Sequence, residues 1–558
     1  MTFSKTLLAG AAALALVACG KKDEGADGPS SATSQEAAKL NADSPLEKSF
    51  RLSEAEPVDI DALFGLMPEG KQPSYESATF DDQLGATVVS NLRFADADDG
   101  EAVMVERAEF YGVDLEAIER VRLAEDAGPD APFEKIFDKV RFFNVATEGF
   151  EDEEEPANLS IGGVEFDQLQ LRQGGAKGDG AGDEGARFFN AVSLAGLYFK
   201  DIRVDTLTPD APPVVMSAPD LRFVGVGGGK LGAIIANDLE YSMSQTDESR
   251  AAMREVMGPQ GAMFLNGPLA GFFAPESQRV KMASFEWRNI DFSGLLEWGL
   301  KDEEPPMSAE NLLDLGTFRA LDMETYIGGK LAGTVEEVSM PAAKFKWMIP
   351  SDIRIDAKGA SYDYTAYIPE TEEAVLAVMK EHGLDKLKSD GFVEWKWNDK
   401  TGVADLDYVA NAPGFMDLSF DLGFSELKLN EMAAAKAAGE EKPFTAVGSF
   451  RNLSLTLEDE KALDAIFAIA ALQMGGTGED LRQSAPAMIR LSGAQAAQMN
   501  PKFSEYVNAV ANFVAKGGSL EVSANPAEPV AFATLQETGA LAPQTIPDVL
   551  GLQVTHKE

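Results

Sequence analysis

From about Phe50 onward the chain is dominated by strict alternation of apolar and polar side chains, the mark of half-buried strands. Met416, Leu418, Phe420, Leu422 and Phe424 are separated by Asp417, Ser419, Asp421 and Gly423. Just before them, Val393, Trp395 and Trp397 alternate with Glu394 and Lys396. The turn residues Asn398-Asp399-Lys400-Thr401-Gly402 follow, and Leu406 and Tyr408 continue on a returning strand. A hairpin followed by a third strand is an antiparallel meander, a sheet that can keep one face wet. Tyr362, Tyr364 and Ala366 predict another strand, as do Leu453, Leu455 and Leu457.

Three segments share a local pattern: Phe199-Lys200-Asp201-Ile202-Arg203-Val204, Trp287-Arg288-Asn289-Ile290-Asp291-Phe292 and Phe450-Arg451-Asn452-Leu453-Ser454-Leu455. Plain alternation would put the aromatic and the later aliphatics on opposite faces. Either both faces are buried there, or a bulge at the Asn/Asp shifts the phase, since these residues tolerate unusual backbone geometry. The spacing between copies is irregular, so no solenoid is implied.

Helices are fewer. Glu370, Glu372 and Glu373 crowd a predicted start, Val375, Val378 and Met379 share a face, and Lys380, His382 and Gly383 supply its end. Asn500 and Pro501 open a second helix with Phe503, Tyr506, Val510 and Phe513 as its stripe. It ends at Lys516 and Gly517-Gly518, before a short strand at Leu520-Glu521-Val522. Asp464 to Met474 is a third, rich in Ala and Ile. Loops are expected at Glu151–Pro156, Gly174–Gly185 and Lys301–Pro306. The expected fold class is α+β: an extended antiparallel β-sheet meander with a more helical C-terminal region. The expected divisions are 1–18, 19–49, a β-rich 50–300, a meander with one helix at 301–458, and a helical 459–558 with a short strand.

The N-terminus reads differently. Lys5 precedes an unbroken run of small and aliphatic residues from Leu7 to Val17, too short for a helix crossing a ~30 Å hydrocarbon layer. It ends in Leu16-Val17-Ala18-Cys19-Gly20, which resembles the lipobox of bacterial lipoproteins. The resemblance implies cleavage between Ala18 and Cys19, and lipidation of Cys19 by diacylglycerol and an amide-linked acyl chain. By the same resemblance, Gly20 rather than Asp after the Cys implies the outer membrane, with the body facing the periplasm. Burial of acyl chains contributes ~0.8 kcal/mol per CH₂, so several chains hold a protein firmly. Residues 20–49 are polar and small and read as a flexible tether with an r.m.s. reach of ~30 Å.

Charge and composition narrow the chemistry. The 558 residues include 48 Lys plus Arg and 92 Asp plus Glu, a net charge of −44, which disfavours nucleic acid and anionic lipid surfaces as general partners, since both would repel it. One Cys excludes an intramolecular disulfide and a cysteine zinc site. With two His, His382 at a predicted helix end and His556 near the C-terminus, a Ser-His-Asp or Cys-His site has almost nothing to be built from. Gly227-Gly228-Gly229-Lys230-Leu231-Gly232 fits GxGxxG, but Leu231 stands where a phosphate loop needs Ser or Thr, and a glycine turn between strands is expected. Of the acidic clusters Asp96–Glu101, Glu151–Glu155 and Asp179–Glu184, the first puts Glu101 where an EF-hand loop started at Asp96 needs Gly; all three read as solvated surface, with weak surface binding of divalent cations as the alternative. No cofactor and no resident metal are expected, and no catalytic residue stands out. Trp395 and Trp397 could stack a sugar, but their shared strand face suits sheet packing.

The sheet texture through parts of residues 190–460 resembles the large AsmA-like envelope proteins, whose long curved sheets are associated with moving or organising lipid. That resemblance implies an apolar groove on one face, closed at its end by the C-terminal helices. The resulting expectation is a non-enzymatic, membrane-anchored binding or structural module of the cell envelope, for lipid, another apolar ligand or an envelope protein partner. The alternatives are a glycan hydrolase using two carboxylates and a protein scaffold.

Overall fold

The computed structural model describes residues 46, 48–67, 72–95, 102–124, 131–148, 157–173, 184–206, 212–253 and 270–558. Cys19, the tether to residue 45, and the acidic or glycine-rich stretches 96–101, 151–155 and 174–183 lie outside them.

Alternation produces what it predicts, one antiparallel sheet. Its first strands are β1 (Ser77–Asp81), β2 (Ala86–Ala95), β3 (Ala102–Tyr111), the short β4 (Phe133–Lys135), β5 (Lys139–Glu148) and β6 (Ala157–Asp167). The short β7 (Gln170–Arg172) leads to the long β8 (Val192–Thr206), β9 (Val214–Gly227), β10 (Lys230–Ser244) and β11 (Ser277–Asp291). After residues 301–306, which carry no strand or helix, come β12 (Thr317–Ile327), β13 (Lys330–Met340), the short β14 (Ala343–Lys346) and β15 (Ile349–Tyr362). β16 (Leu387–Asn398), β17 (Val403–Ala412), β18 (Met416–Ser425) and β19 (Ser449–Asp459) form the predicted meander. β20 (Gly518–Ala524), the short β21 (Val530–Ala531) and β22 (Leu552–Lys557) complete the sheet.

Strands β4, β7, β14 and β21 are side branches. The other eighteen pair in chain order from β1 to β22, each antiparallel to the next. At ~4.8 Å per strand the sheet extends about 80 Å from edge to edge.

A transverse seam crosses most of this sheet. Between β2 and β3, Ser90 pairs Arg107 and Leu92 pairs Val105, while Asn91 and Glu106 drop out of the ladder. The same gap recurs, without change of register, at each boundary up to β12–β13. On every second strand the residue at the seam has a left-handed backbone: Asn91, Asn144, Asp201, Asp238 and Asp322, with φ between 49° and 53°. Gly359 (φ 64°) holds the corresponding place on β15. All five residues are exposed, and Asn and Asp tolerate this backbone best after Gly; Asn91 and Asn144 also donate through Nδ2 to Glu76 and Glu106.

The seam reverses which side chains face inward. On β8, Leu197 and Phe199 precede Asp201, then Ile202 and Val204 follow, and Phe199 and Ile202 are buried in one cluster. Of the two readings of the repeated aromatic–basic–Asn/Asp pattern, a phase shift is the one found, made at Asp201 and Asn289 (φ 59°) by a left-handed residue rather than by a bulge. In the third copy, Asn452 pairs Gly423 and Phe450 pairs Phe424, leaving Arg451 as the extra residue of a bulge.

Two sequence expectations need correction. The strand expected through Tyr362, Tyr364 and Ala366 stops at Tyr362. Asp363 caps a 3₁₀ turn at Tyr364–Tyr367, its Oδ1 accepting from Thr365 N at 2.9 Å. The loop expected up to Gly185 ends earlier, because a helix begins at Glu184. The helix expected after Glu370 is present at Glu373–Glu381, and Ser293–Gly299 and Leu429–Ala437 are further helices between the sheet strands. The glycine pattern at 227–232 is a hairpin turn, with Gly228 and Gly229 at φ 59° and 77° between β9 and β10. A Cβ on Gly229 would lie 2.7 Å from the Ser293 Cα.

Candidate functional site

The register places one row of side chains across all eighteen strands. Ala78, Val89, Ala108, Phe142, Val164 and Phe199 pair in succession. Leu221, Ala236, Phe285, Ala320, Val338 and Ala357 continue the row. Gly391, Ala410, Leu418, Leu457, Leu520 and His556 end it. Every member but the last is apolar or glycine.

This row changes character along its length. From Val89 to Ala320 its side chains are buried, Phe142 half so. Ile60 and Phe64 of the helix Ile60–Gly65 seat on this part, and Phe64, Phe110, Phe142 and Phe166 meet in succession at centroid distances of 5.9–6.4 Å. From Val338 to His556 every member is half-exposed.

Two flanking rows share that state: Val393, Tyr408, Phe420, Leu455, Val522 and Val554, and Trp395, Leu406, Leu422, Leu453 and Leu552, with Ala524 alone buried. These three rows lie between two packed rims. Along one, Trp397, Leu427 and Met307 cluster with Met432 of the helix Leu429–Ala437. Along the other, Ile368, Val375, Met379 and Leu384 cluster with Ala465. The helix Lys502–Lys516 packs against the last strands, with Tyr506 Oη donating to Leu552 O at 2.6 Å and the Phe513 ring 6.5 Å from that of His556. The arrangement is an apolar strip, walled on both sides and bounded by helix at its far edge.

The opposite face is polar, and near the start of the sheet its charges are buried. Glu165, 1% exposed, receives Arg141 Nε at 2.7 Å and also Lys139 Nζ. The entering chain overlies them: Arg141 Nη2 donates to Lys48 O at 3.0 Å, and Lys139 Nζ sits 4.9 Å from the Phe50 ring centroid. A buried charge survives only when paired in this way. Farther along, Asp407 and Asp421 lie directly opposite each other on β17 and β18. Burial, then the hydrogen bond and charge of Asp421, push the Asp407 carboxyl above its usual range. Glycosidic carboxylates stand ~5–10 Å apart; this pair is in hydrogen-bond contact and does not present that geometry. A hollow of about 530 Å³ on β16 and β17 is lined by Lys346, Asp352, Lys396, Asp399 and Asp405 together with Trp397 and Val403, so it mixes charged and apolar groups.

The individually weighed residues find structural places. Trp397 is buried, its Nε1 donating to Leu427 O at 2.8 Å, and Trp395 donates likewise to Pro350 O at 2.8 Å. His382 is the C-cap of the helix Glu373–Glu381, with Gly383 left-handed after it. His556 Nε2 lies 2.8 Å from Gly517 O. Among the described residues no three His, Cys, Asp or Glu side chains are grouped to hold a metal ion, and no helix is long and apolar enough to cross a membrane.

Comparison with known proteins bears on one part of the chain. No curated protein matches it. A family model described as "Uncharacterized protein" matches residues 410–557, a stretch holding four of the strands under the half-exposed apolar rows and the helices beside them.

Proposed function

We propose that this chain is a lipid-anchored envelope protein, tethered through Cys19, that holds an apolar ligand on the half-exposed part of its sheet, with a lipid acyl chain as the best-suited occupant. Its role is binding rather than chemistry. The observation that carries the reading is the apolar row crossing eighteen strands, filled by the protein itself up to Ala320 and half-exposed from Val338 onward. Water in contact with such a surface is costly, at about 25 cal/mol per Å², and a flexible hydrocarbon laid between the rims would displace it. The anchor would keep the body at the membrane, and the acidic charge of −44 would hold it off anionic headgroups.

The test uses residues 19–558 carrying Cys19→Ser, mixed with phospholipid vesicles, separated from them and analysed by native mass spectrometry. Phospholipid should remain bound, and Phe420→Asp with Leu455→Asp should abolish it while leaving the circular dichroism unchanged. A wild-type body that takes up no lipid ends this reading. The anchor is tested separately: labelled palmitate should enter the wild-type chain and not Cys19→Ser.

A further inference from the structure

Large apolar side chains that remain exposed are unevenly distributed in this molecule. Of the twelve among the described residues, six lie on two consecutive helices, Ala462–Met474 and Gly478–Met499. They include Met474 at 70% exposure and Leu491 at 79%. The first helix is apolar on nearly every side, with Asp464 and Gln473 its only polar residues. Such a helix is ordinarily buried in a core or set in a membrane. Here Ala465 and Ala471 face inward, while Ile466, Leu472 and Met474 face out. On the second helix Met488, Leu491 and Met499 recur at intervals of three and eight, close to one exposed face.

The two helices form a close hairpin. Gly475 and Gly476 make the turn at φ 80° and 97°, and Thr477 Oγ1 caps the second helix by accepting from Asp480 N at 3.1 Å. A Cβ on Gly478 would lie 2.9 Å from the Ala468 backbone, so the helices touch closely at the turn. The hairpin stands on one rim of the apolar strip, through Ala465 and Ile469 in the cluster of Val375 and Met379.

The hairpin is also nearly neutral. Residues 462–499 carry Arg482 and Arg490 against Asp464, Glu479 and Asp480, a net of −1 in a chain of −44. An anionic bilayer would repel the rest of the acidic body far more strongly than this stretch. A thirteen-residue helix is too short to span a bilayer, which takes about 20 residues, but is long enough to lie in its interface.

We infer that the hairpin Ala462–Met499 is a bilayer-contact surface, its apolar side chains entering the headgroup boundary and setting the rim of the strip against the membrane. This contact is separate from the anchor at Cys19 and does not depend on whether the strip takes up lipid.

Cys19 is the only cysteine, so the 19–558 chain with Cys19→Ser accepts a single reporter. An environment-sensitive dye at Leu491→Cys is compared with the same dye at Ser419→Cys, an exposed site on β18, during titration with phosphatidylethanolamine–phosphatidylglycerol vesicles. Emission at 491 should shift to the blue and brighten roughly twofold or more, with no change at 419. Replacing Met488, Leu491 and Met499 together by Gln should weaken vesicle binding roughly 30- to 100-fold. Absence of vesicle binding, an equal response at both positions, or a response at 491 that follows protein concentration without vesicles (a second copy covering the hairpin) would each overturn the inference.

Discussion

The two halves of the sheet are built from the same pattern and end in different states. β2 to β12 and β13 to β22 both alternate apolar and polar residues, both are antiparallel, and one register line runs through them. In the first half Phe199, Phe223 and Phe285 are closed over, with Ile60 and Phe64 brought in from outside the sheet. In the second half helices pack along the edges and leave Phe420, Leu455 and Leu422 between them half-exposed. The faces differ little in hydrophobicity; what differs is whether the chain supplies its own cover. A partly uncovered apolar face can thus be made on a sheet by omitting a covering element, without any change in strand chemistry.

The strongest way to break this comparison is by truncation in both halves. Phe199→Ala removes a ring that is fully packed and should cost about 3–5 kcal/mol, whereas Phe420→Ala removes a half-exposed ring and should cost about 1 kcal/mol. Urea unfolding followed by circular dichroism measures both. Equal losses would mean that the second half is covered in solution and that the strip is not free to bind.

A smaller effect tests the seam, a feature that spans the first half and stops at β15. Asp201→Val forces a β-branched residue into a left-handed backbone and should cost about 1–2 kcal/mol; Asp201→Gly should change stability by no more than about 0.5 kcal/mol. Since the Asp201 side chain is exposed, lost packing cannot account for the difference. Matching losses from Val and Gly would show that the carboxylate, and not the backbone conformation, matters at that position.

Much of this architecture was legible in the residues, because strands advertise themselves locally. Met416 to Phe424, the hairpin at Asn398–Gly402 and the helix end at Gly383 all obey rules that span a few neighbours. The phase shift at Asp201 was visible as a conflict between two apolar runs, although its repetition on alternate strands was not. Asn91, Asn144, Asp238 and Asp322 lack the full aromatic–basic signature, and only the register reveals them as one line. Exposure was the least legible property. Leu455 and Val164 sit in similar sequence surroundings, and their different burial is decided by segments far away in the chain, which alternation does not encode. Tyr364 was misplaced because Asp363, a turn-capping residue, outweighed a continuing apolar rhythm.

The smallest effect concerns the polar face of the second half. Asp407 and Asp421 oppose each other across β17 and β18, and burial together with Asp421 raises the Asp407 carboxyl. The native chain therefore keeps a proton at Asp407 that the unfolded chain has already released. The associated stability is complete below the ordinary carboxylate value of 3.8 and fades as pH rises through the raised native value. Asp407→Asn keeps a donor toward Asp421 and removes the charge. It should stabilise the protein at neutral pH by about a few tenths of a kcal/mol, the scale of a cross-strand like-charge pair, with no gain at the acid end. Urea midpoints of both proteins, measured from the carboxylate range to neutrality, give the comparison. A gain that is the same at every pH would mean that the two carboxyls do not share a proton, and that the polar face of this half is ordinary solvated surface.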